Sequence, residues 1–150
     1  MNLDELFSHW TLVRRGLFET IDKFRDEDLS FVPFEGCWSV GEIMLHIADA
    51  EEGWFRYGVT RELDDWPGGF TLQDYPNLTA IKNLLTEVHD RTEAYLGTLE
   101  LADLSKKLQM PWGVTVSLGW EIWHVLEHEI HHRGELSLIL GILGREGLDV

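Results

Sequence analysis

Residues 118–144 constrain this chain more than any other stretch. Leu118, Ile122, Val125, Leu126, Leu136, Ile139, Leu140 and Leu143 recur there at three- and four-residue steps, the period of an amphipathic helix. Ser117 predicts a cap at the start and Gly144 a left-handed residue past the end. Four of the seven histidines, His124, His128, His131 and His132, fall inside this helix. At about 100° per residue the apolar stripe centres between Leu118 and Leu140. His132 then lies at the edge of the stripe, His128 about 40° further out, and His124 and His131 toward solvent. His128 and His132 are four apart, so their rings share a face at a spacing suited to one metal ion. His124 and His132 are separated by roughly 12 Å of helical rise and cannot share an ion.

Three further segments carry the same period. In residues 3–24 the stripe is Leu3, Leu6, Phe7, Trp10, Val13, Leu17, Ile21 and Phe24, with Asn2 or Asp4 as the expected cap. Ser39 and Glu42 form a capping-box pair that opens a second helix over 40–60, with Ile43, Ile47, Ala50 and Trp54 inward. His46 lies near that stripe, where Ala50 and Gly53 are expected to leave room beside its ring. A third helix is expected over 79–99, with Ile81, Leu84, Leu85, Val88, Tyr95 and Leu96 inward and His89 solvated. His9 reads as a surface residue of the first helix. Residues 61–78 hold two prolines and two glycines, a loop long enough for a crossover between parallel neighbours. Residues 100–117 are mixed, with a short turn over Leu101 to Leu108 and a strand-like trace only at Val114, Thr115 and Val116. Four long helices near 3–24, 40–60, 79–99 and 118–143 make an all-α four-helix bundle, a single domain over residues 1–150.

Composition limits the partners. The formal charge is −15, and the twelve Lys and Arg residues are scattered; a nucleic acid or an anionic membrane would repel such a surface. No uncharged apolar run reaches the roughly 18 residues of a membrane span. Cys37 is the only cysteine, the acidic start resembles no signal peptide, and a cytoplasmic location is expected. Seven tryptophans, Trp10, Trp112, Trp120 and Trp123 among them, exceed what one small bundle needs to bury, and a homodimer is expected to cover some of them.

Two familiar metal motifs fail on their context. His128 to His132 matches His-Glu-x-x-His of zinc peptidases, with Glu129 as the base, but Glu135 and Leu138 stand where the extended form needs Gly and His. A di-iron carboxylate bundle needs Glu-x-x-His on two helices. Here Glu121/His124 and Glu129/His132 share one helix, and Ile43 precedes His46 by three. A three-histidine site of His46, His128 and His132 remains, a donor set that leaves a Zn²⁺ or Ni²⁺ ion open positions.

Trp38-Ser39-Val40-Gly41-Glu42-Ile43 followed by His46, together with His128-x-x-x-His132-Arg133-Gly134, resembles the paired signatures of the DinB/YfiT superfamily. One departure is Glu135, where such proteins commonly carry Gln. The resemblance implies an up-down-down-up bundle with the long crossover between helices two and three, often dimeric, with a three-histidine metal site for which His46, His128 and His132 are the expected ligands. It also implies a metal-dependent enzyme of the thiol-dependent S-transferase type, using a low-molecular-weight thiol on a small-molecule substrate. A metal-dependent hydrolase and a non-catalytic metal- or ligand-binding module are the alternatives. Arg133 is the expected anchor for a substrate carboxylate, or else the partner of Glu129 four residues earlier. No residue is singled out as the catalytic acid or base.

Overall fold

A computed structural model describes residues 3–149. Four helices, α1 (Leu3–Ile21), α2 (Val40–Glu52), α3 (Leu78–Leu96) and α4 (Leu118–Ile142), account for most of the chain. Each begins and ends within about three residues of its expected bounds, except that α2 continues as a π-helical segment, Gly53–Val59. The expected caps form at α2, where Ser39 and Glu42 bond each other's backbone, and at α4, where the Ser117 hydroxyl accepts from Trp120 N. Asn77 caps α3 by accepting from Ala80 N, and Gly144 has φ 74° past α4. The cap expected at Asn2 or Asp4 lies outside the described residues and side chains. The strand-like trace at 114–116 becomes a small antiparallel hairpin. β1 (Lys107–Gln109) pairs with β2 (Thr115–Ser117), with Leu108 opposite Val116. The turn expected at Leu101 is a 3₁₀ helix over Leu101–Ser105.

The apolar side chains form two clusters. One holds Leu17 and Ile21 of α1, Ile43 and Ile47 of α2, Ile81 to Val88 of α3 and Leu136 to Leu140 of α4. The other holds Trp10 and Val13, Phe55, Leu96, and Leu118 to Leu126. α1 and α4 therefore run from the second cluster to the first, while α2 and α3 run the opposite way. This is the up-down-down-up order, and it obliges residues 61–77 to travel back along the bundle. That crossover is not idle chain, since Phe70, Leu72 and Tyr75 pack on the first cluster.

Between the two clusters lies a polar layer with one contribution from every helix. Arg14 Nη2 bonds Glu51 Oε2 at 2.5 Å and Glu129 Oε2 at 2.9 Å. The His89 Nδ1–H donates to Glu51 Oε1 at 2.7 Å, and Trp10 Nε1 donates to Glu129 Oε2 at 2.8 Å. Burial by itself raises both carboxyls. At Glu51 the Arg14 charge and the His89 bond outweigh burial and bring the value down to about 2; at Glu129 burial prevails and the value stays raised. Three expectations change here. His89 is buried, not solvated, because it sits one turn beyond Leu85 on the inner face of α3. Glu129 is held by Arg14 and Trp10, not by Arg133. Trp10 is core, 2% exposed, so it is not among the rings left over for an interface.

Candidate metal centre

The groove between α2 and α4 collects the three histidines. His46 lies three residues after Ile43 on α2, beside the inner stripe. His128 and His132 stand one turn apart on α4, while Glu129 between them in sequence turns toward Arg14 and Trp10 of α1. The Nε2 atoms converge: His128 to His46 at 2.9 Å and His132 to His128 at 3.2 Å. One ligand atom from each residue falls within 4.8 Å of the other two. With metal–nitrogen bonds of about 2.0–2.1 Å, neighbouring nitrogens on one ion stand about 2.9–3.4 Å apart, so both close pairs fit a shared divalent ion. Three neutral imidazoles are the donor set for such an ion. Burial, and then the neighbouring rings, push the His128 value down to about 3, and burial likewise lowers His46. The unprotonated form that a metal needs is thus the resting form.

Around the ligands, His132 Nδ1–H donates to Glu135 Oε2 at 2.7 Å, while Glu135 Oε1 lies 3.1 Å from His131 Nε2. A carboxylate on the remote nitrogen fixes the tautomer that leaves Nε2 free and makes the ring a stronger donor. The residue that departs from the family pattern therefore touches a candidate ligand directly. Trp38 packs its ring 4.4 Å from His46 and 6.1 Å from His132. Two cavities open on either side of it. One, of about 380 Å³, runs beside His132 and is lined by Phe34, Cys37, Ile43, Leu138, Ile142 and Glu135. The other, of about 190 Å³, runs beside His46 and is lined by Glu42, Asp49 and Phe70.

The remaining histidines take other places. His131 is exposed beside Glu135 and the His132 ring, and these three residues also bring one donor atom each within 4.8 Å of one another. His124 is half-buried rather than free in solvent, stacked on Trp120 at 4.9 Å and edge-on to Trp54. His9 is exposed. The guanidinium of Arg133 lies against α1, with Nη1 3.4 Å from Val13 O, and it lines neither cavity. The room expected beside His46 at Gly53 is filled, since a Cβ on that glycine would strike the Trp66 indole. Trp66 in turn donates to Asp49 Oδ2 at 3.1 Å.

Comparison with known proteins follows the same lines. The Bacillus subtilis protein YizA, uncharacterised, is 26% identical over 140 residues, covering 89% of this chain and 83% of its own length. A DinB-like protein from Bacillus cereus ATCC 10987 superposes with a TM-score of 0.78 at 19% identity, over 99% of this chain and 97% of that one. YfiT from B. subtilis, described as a probable metal-dependent hydrolase with an unusual four-helix bundle topology, gives 0.62 at 22% identity, over 93% and 87%. The mycothiol-dependent maleylpyruvate isomerase gives 0.62 at 16%, over 88% of this chain and 60% of its own. The colibactin self-resistance protein ClbS, solved with double-stranded DNA, gives 0.71 at 15%, over 93% and 96%. At these identities the structures share the fold. The DinB superfamily pattern itself matches residues 9–136. With its helix order, its crossover and its two signature segments in place, the chain belongs to the DinB superfamily.

Proposed function

We propose that His46, His128 and His132 hold a divalent metal ion, Zn²⁺ or Ni²⁺, and that the chain is a metal-dependent enzyme transferring a low-molecular-weight thiol to a small-molecule electrophile. The observation that carries this reading is the convergence of three Nε2 atoms at 2.9 and 3.2 Å at the edge of two cavities. A divalent ion bound there supplies Lewis acidity, which lowers the pKa of a thiol or a water molecule near neutral pH. The protein's own part is to position and to exclude. Glu135 orients His132, Trp38 covers one side of the ligand cluster, and the apolar cavity beside His132 seats a hydrocarbon body away from water. Glu129 and Arg133 both face α1, and neither lines the two cavities. Hydrolysis is the second reading, favoured by the structural likeness to YfiT, and the same residues would serve it.

We further propose a cytoplasmic homodimer. Trp120 and Trp123 remain 48% and 53% exposed on α4, and among the described residues no helix is long and apolar enough to cross a membrane. A small molecule, rather than nucleic acid, is the proposed partner on the strength of the −15 charge. Zinc titration of metal-stripped protein tests the centre. Wild type should bind one equivalent, and His46→Ala, His128→Ala and His132→Ala should each lose at least about 100-fold in affinity. A panel of thiols against a fluorogenic alkylating probe, with and without zinc, then separates transfer from hydrolysis. If zinc binds equally well to all three variants, the assignment fails.

A further inference from the structure

Glu135 reaches two histidines at once. On α4 it stands four residues after His131 and three after His132, so at about 100° per residue it falls between them, one turn further on. Its Oε1 lies 3.1 Å from His131 Nε2, and its Oε2 accepts from His132 Nδ1 at 2.7 Å. The two rings stand 4.9 Å apart at 76°, and one donor atom from each of the three residues comes within 4.8 Å of the other two. Two imidazoles and a carboxylate suit the same divalent ions as the groove. Little has to move to complete the set. The His131 side chain is 65% exposed and that of Glu135 41%, so both are free to close on an ion, while His132, at 9%, is held in place.

His132 belongs to both donor sets, through opposite nitrogens. Its Nε2 meets His128 Nε2 at 3.2 Å in the groove, and its Nδ1 meets Glu135 on the outer face. A neutral imidazole carries one proton and offers one lone pair, so the ring serves one ion at a time. With the proton on Nδ1 the lone pair of Nε2 belongs to the groove. With the proton on Nε2 the lone pair of Nδ1 belongs to His131 and Glu135, and the ring is neutral in both cases. The groove is the tighter of the two, because its nitrogens already stand at 2.9 and 3.2 Å. The outer set adds a negative charge, but solvent screens it, and its two exposed side chains lose rotamer freedom on binding.

We propose that His131, His132 and Glu135 form a second, weaker divalent-metal site on the outer face of α4, alternative to the groove because the two share His132. The competition rests on the metal-centre reading above; the outer site itself does not. A chain deprived of His46 and His128 therefore keeps an ion on α4. Binding it there moves the His132 ring proton from Nδ1 to Nε2. The groove ion, in turn, is held only while His132 keeps its proton toward Glu135.

The test is zinc titration of the metal-stripped full chain by calorimetry, joined to ring-nitrogen NMR of His132. His46→Ala/His128→Ala should still bind one equivalent, at least about 100-fold more weakly than the wild type. Adding His131→Ala or Glu135→Gln to that variant should weaken binding by at least a further tenfold or so. The ring proton should sit on Nδ1 in the zinc-loaded wild type and on Nε2 in the loaded double variant. Circular dichroism checks that the helices are kept; if they are not, His46→Phe/His128→Phe, which retains rings at both positions, repeats the measurements. No zinc on the folded double variant, binding that ignores the loss of His131, or a ring proton still on Nδ1 in the loaded double variant overturns the inference. The two readings fail separately. Equal affinity in the wild type and the double variant, weakened in both by His131→Ala, would sink the groove centre and support the outer site.

Discussion

Arg14→Leu removes the one permanent positive charge from the layer between the two apolar clusters. Arg14 is 8% exposed and touches two carboxylates, at 2.5 Å on Glu51 and 2.9 Å on Glu129. Leucine fills much of the space but leaves both acids buried and facing each other. Breaking a buried ion pair from one side costs about 3–5 kcal/mol, which for a chain of this length lowers the melting temperature by about 10 °C or more. The pH dependence identifies the cause. In the wild type the Glu51 value is depressed to about 2 from an ordinary 4.5. Its stabilisation is therefore complete above about pH 4.5 and lost only as the pH falls toward 2. Without Arg14 the same carboxyl must rise above its unfolded value, so the variant is penalised at neutral pH and relieved on acidification. The gap between the two stability curves should be widest near pH 7 and narrow as the pH falls toward 4.5, where the variant's penalty is relieved. Arg14→Lys, keeping a charge but not the fork, should recover part of the loss. Urea unfolding from pH 7 to 4 measures all of this. A loss under about 1 kcal/mol, or a gap that does not narrow with acid, would show that the layer does not depend on this charge.

Other expectations are simpler. Chelator should lower the melting temperature of the zinc-loaded wild type at neutral pH, and of His124→Ala and His131→Ala, but not of His128→Ala; scanning fluorimetry decides. Without metal, His46 and His128 have values below the ordinary 6.5, so their neutral forms favour the fold above pH 6.5 and stability falls as pH drops from there toward about 3. His128→Asn should flatten that slope in acid titrations followed by circular dichroism. Glu121 is fully buried with neither oxygen bonded among the described residues, and burial raises its value to about 7. Its protonated form suits the fold, and stability is lost as the pH rises through about 7, so Glu121→Gln should melt higher than the wild type at pH 8 and no higher near pH 4.5. Glu135→Gln should weaken zinc binding by about tenfold by taking the negative charge from behind His132. Sedimentation at high concentration should give twice 17.4 kDa; a 17.4 kDa species would remove the dimer.

Periodicity made most of the helical frame legible, because each stripe is long and each of α2 and α4 begins on a capping residue that the structure uses. The facing of His128 and His132 was legible for the same reason, while His46 needed the resemblance, since helical angle alone could not say which neighbour α2 meets. The polar layer was not read, although its signal was present. Arg14 lies between Trp10 and Leu17, Glu51 between Ile47 and Phe55, His89 between Leu85 and Thr92, and Glu129 between Leu126 and Leu136. Each is a polar residue inside an apolar stripe, and only the four together reveal that the stripes are interrupted at one level. Of the hairpin only the second strand left a trace, at Val114 to Val116, because three-residue strands give too little alternation to recognise. Trp10 was misplaced because an indole that needs a buried acceptor had no visible partner until Glu129 was turned inward.

The π-helical segment at Gly53–Val59 has a consequence for how this protein tolerates insertions and deletions. Its amides reach back five residues, as Thr60 N does to Phe55 O at 2.8 Å, which is the geometry left when an α-helix takes in one extra residue. Gly53 and Gly58 let neighbours close on this turn, since a Cβ on the first would meet Trp66 and one on the second the Met110 side chain, 2.7 Å away. Losing a single residue here would restore an ordinary α-helix, a local gain. It would also rotate everything downstream by about 100°, carrying the start of the crossover off its seat and pulling Trp66 from Asp49. Chain length in this segment is thus read out at the groove wall beside His46, and the spacing from 53 to 66 acts as a ruler for that wall.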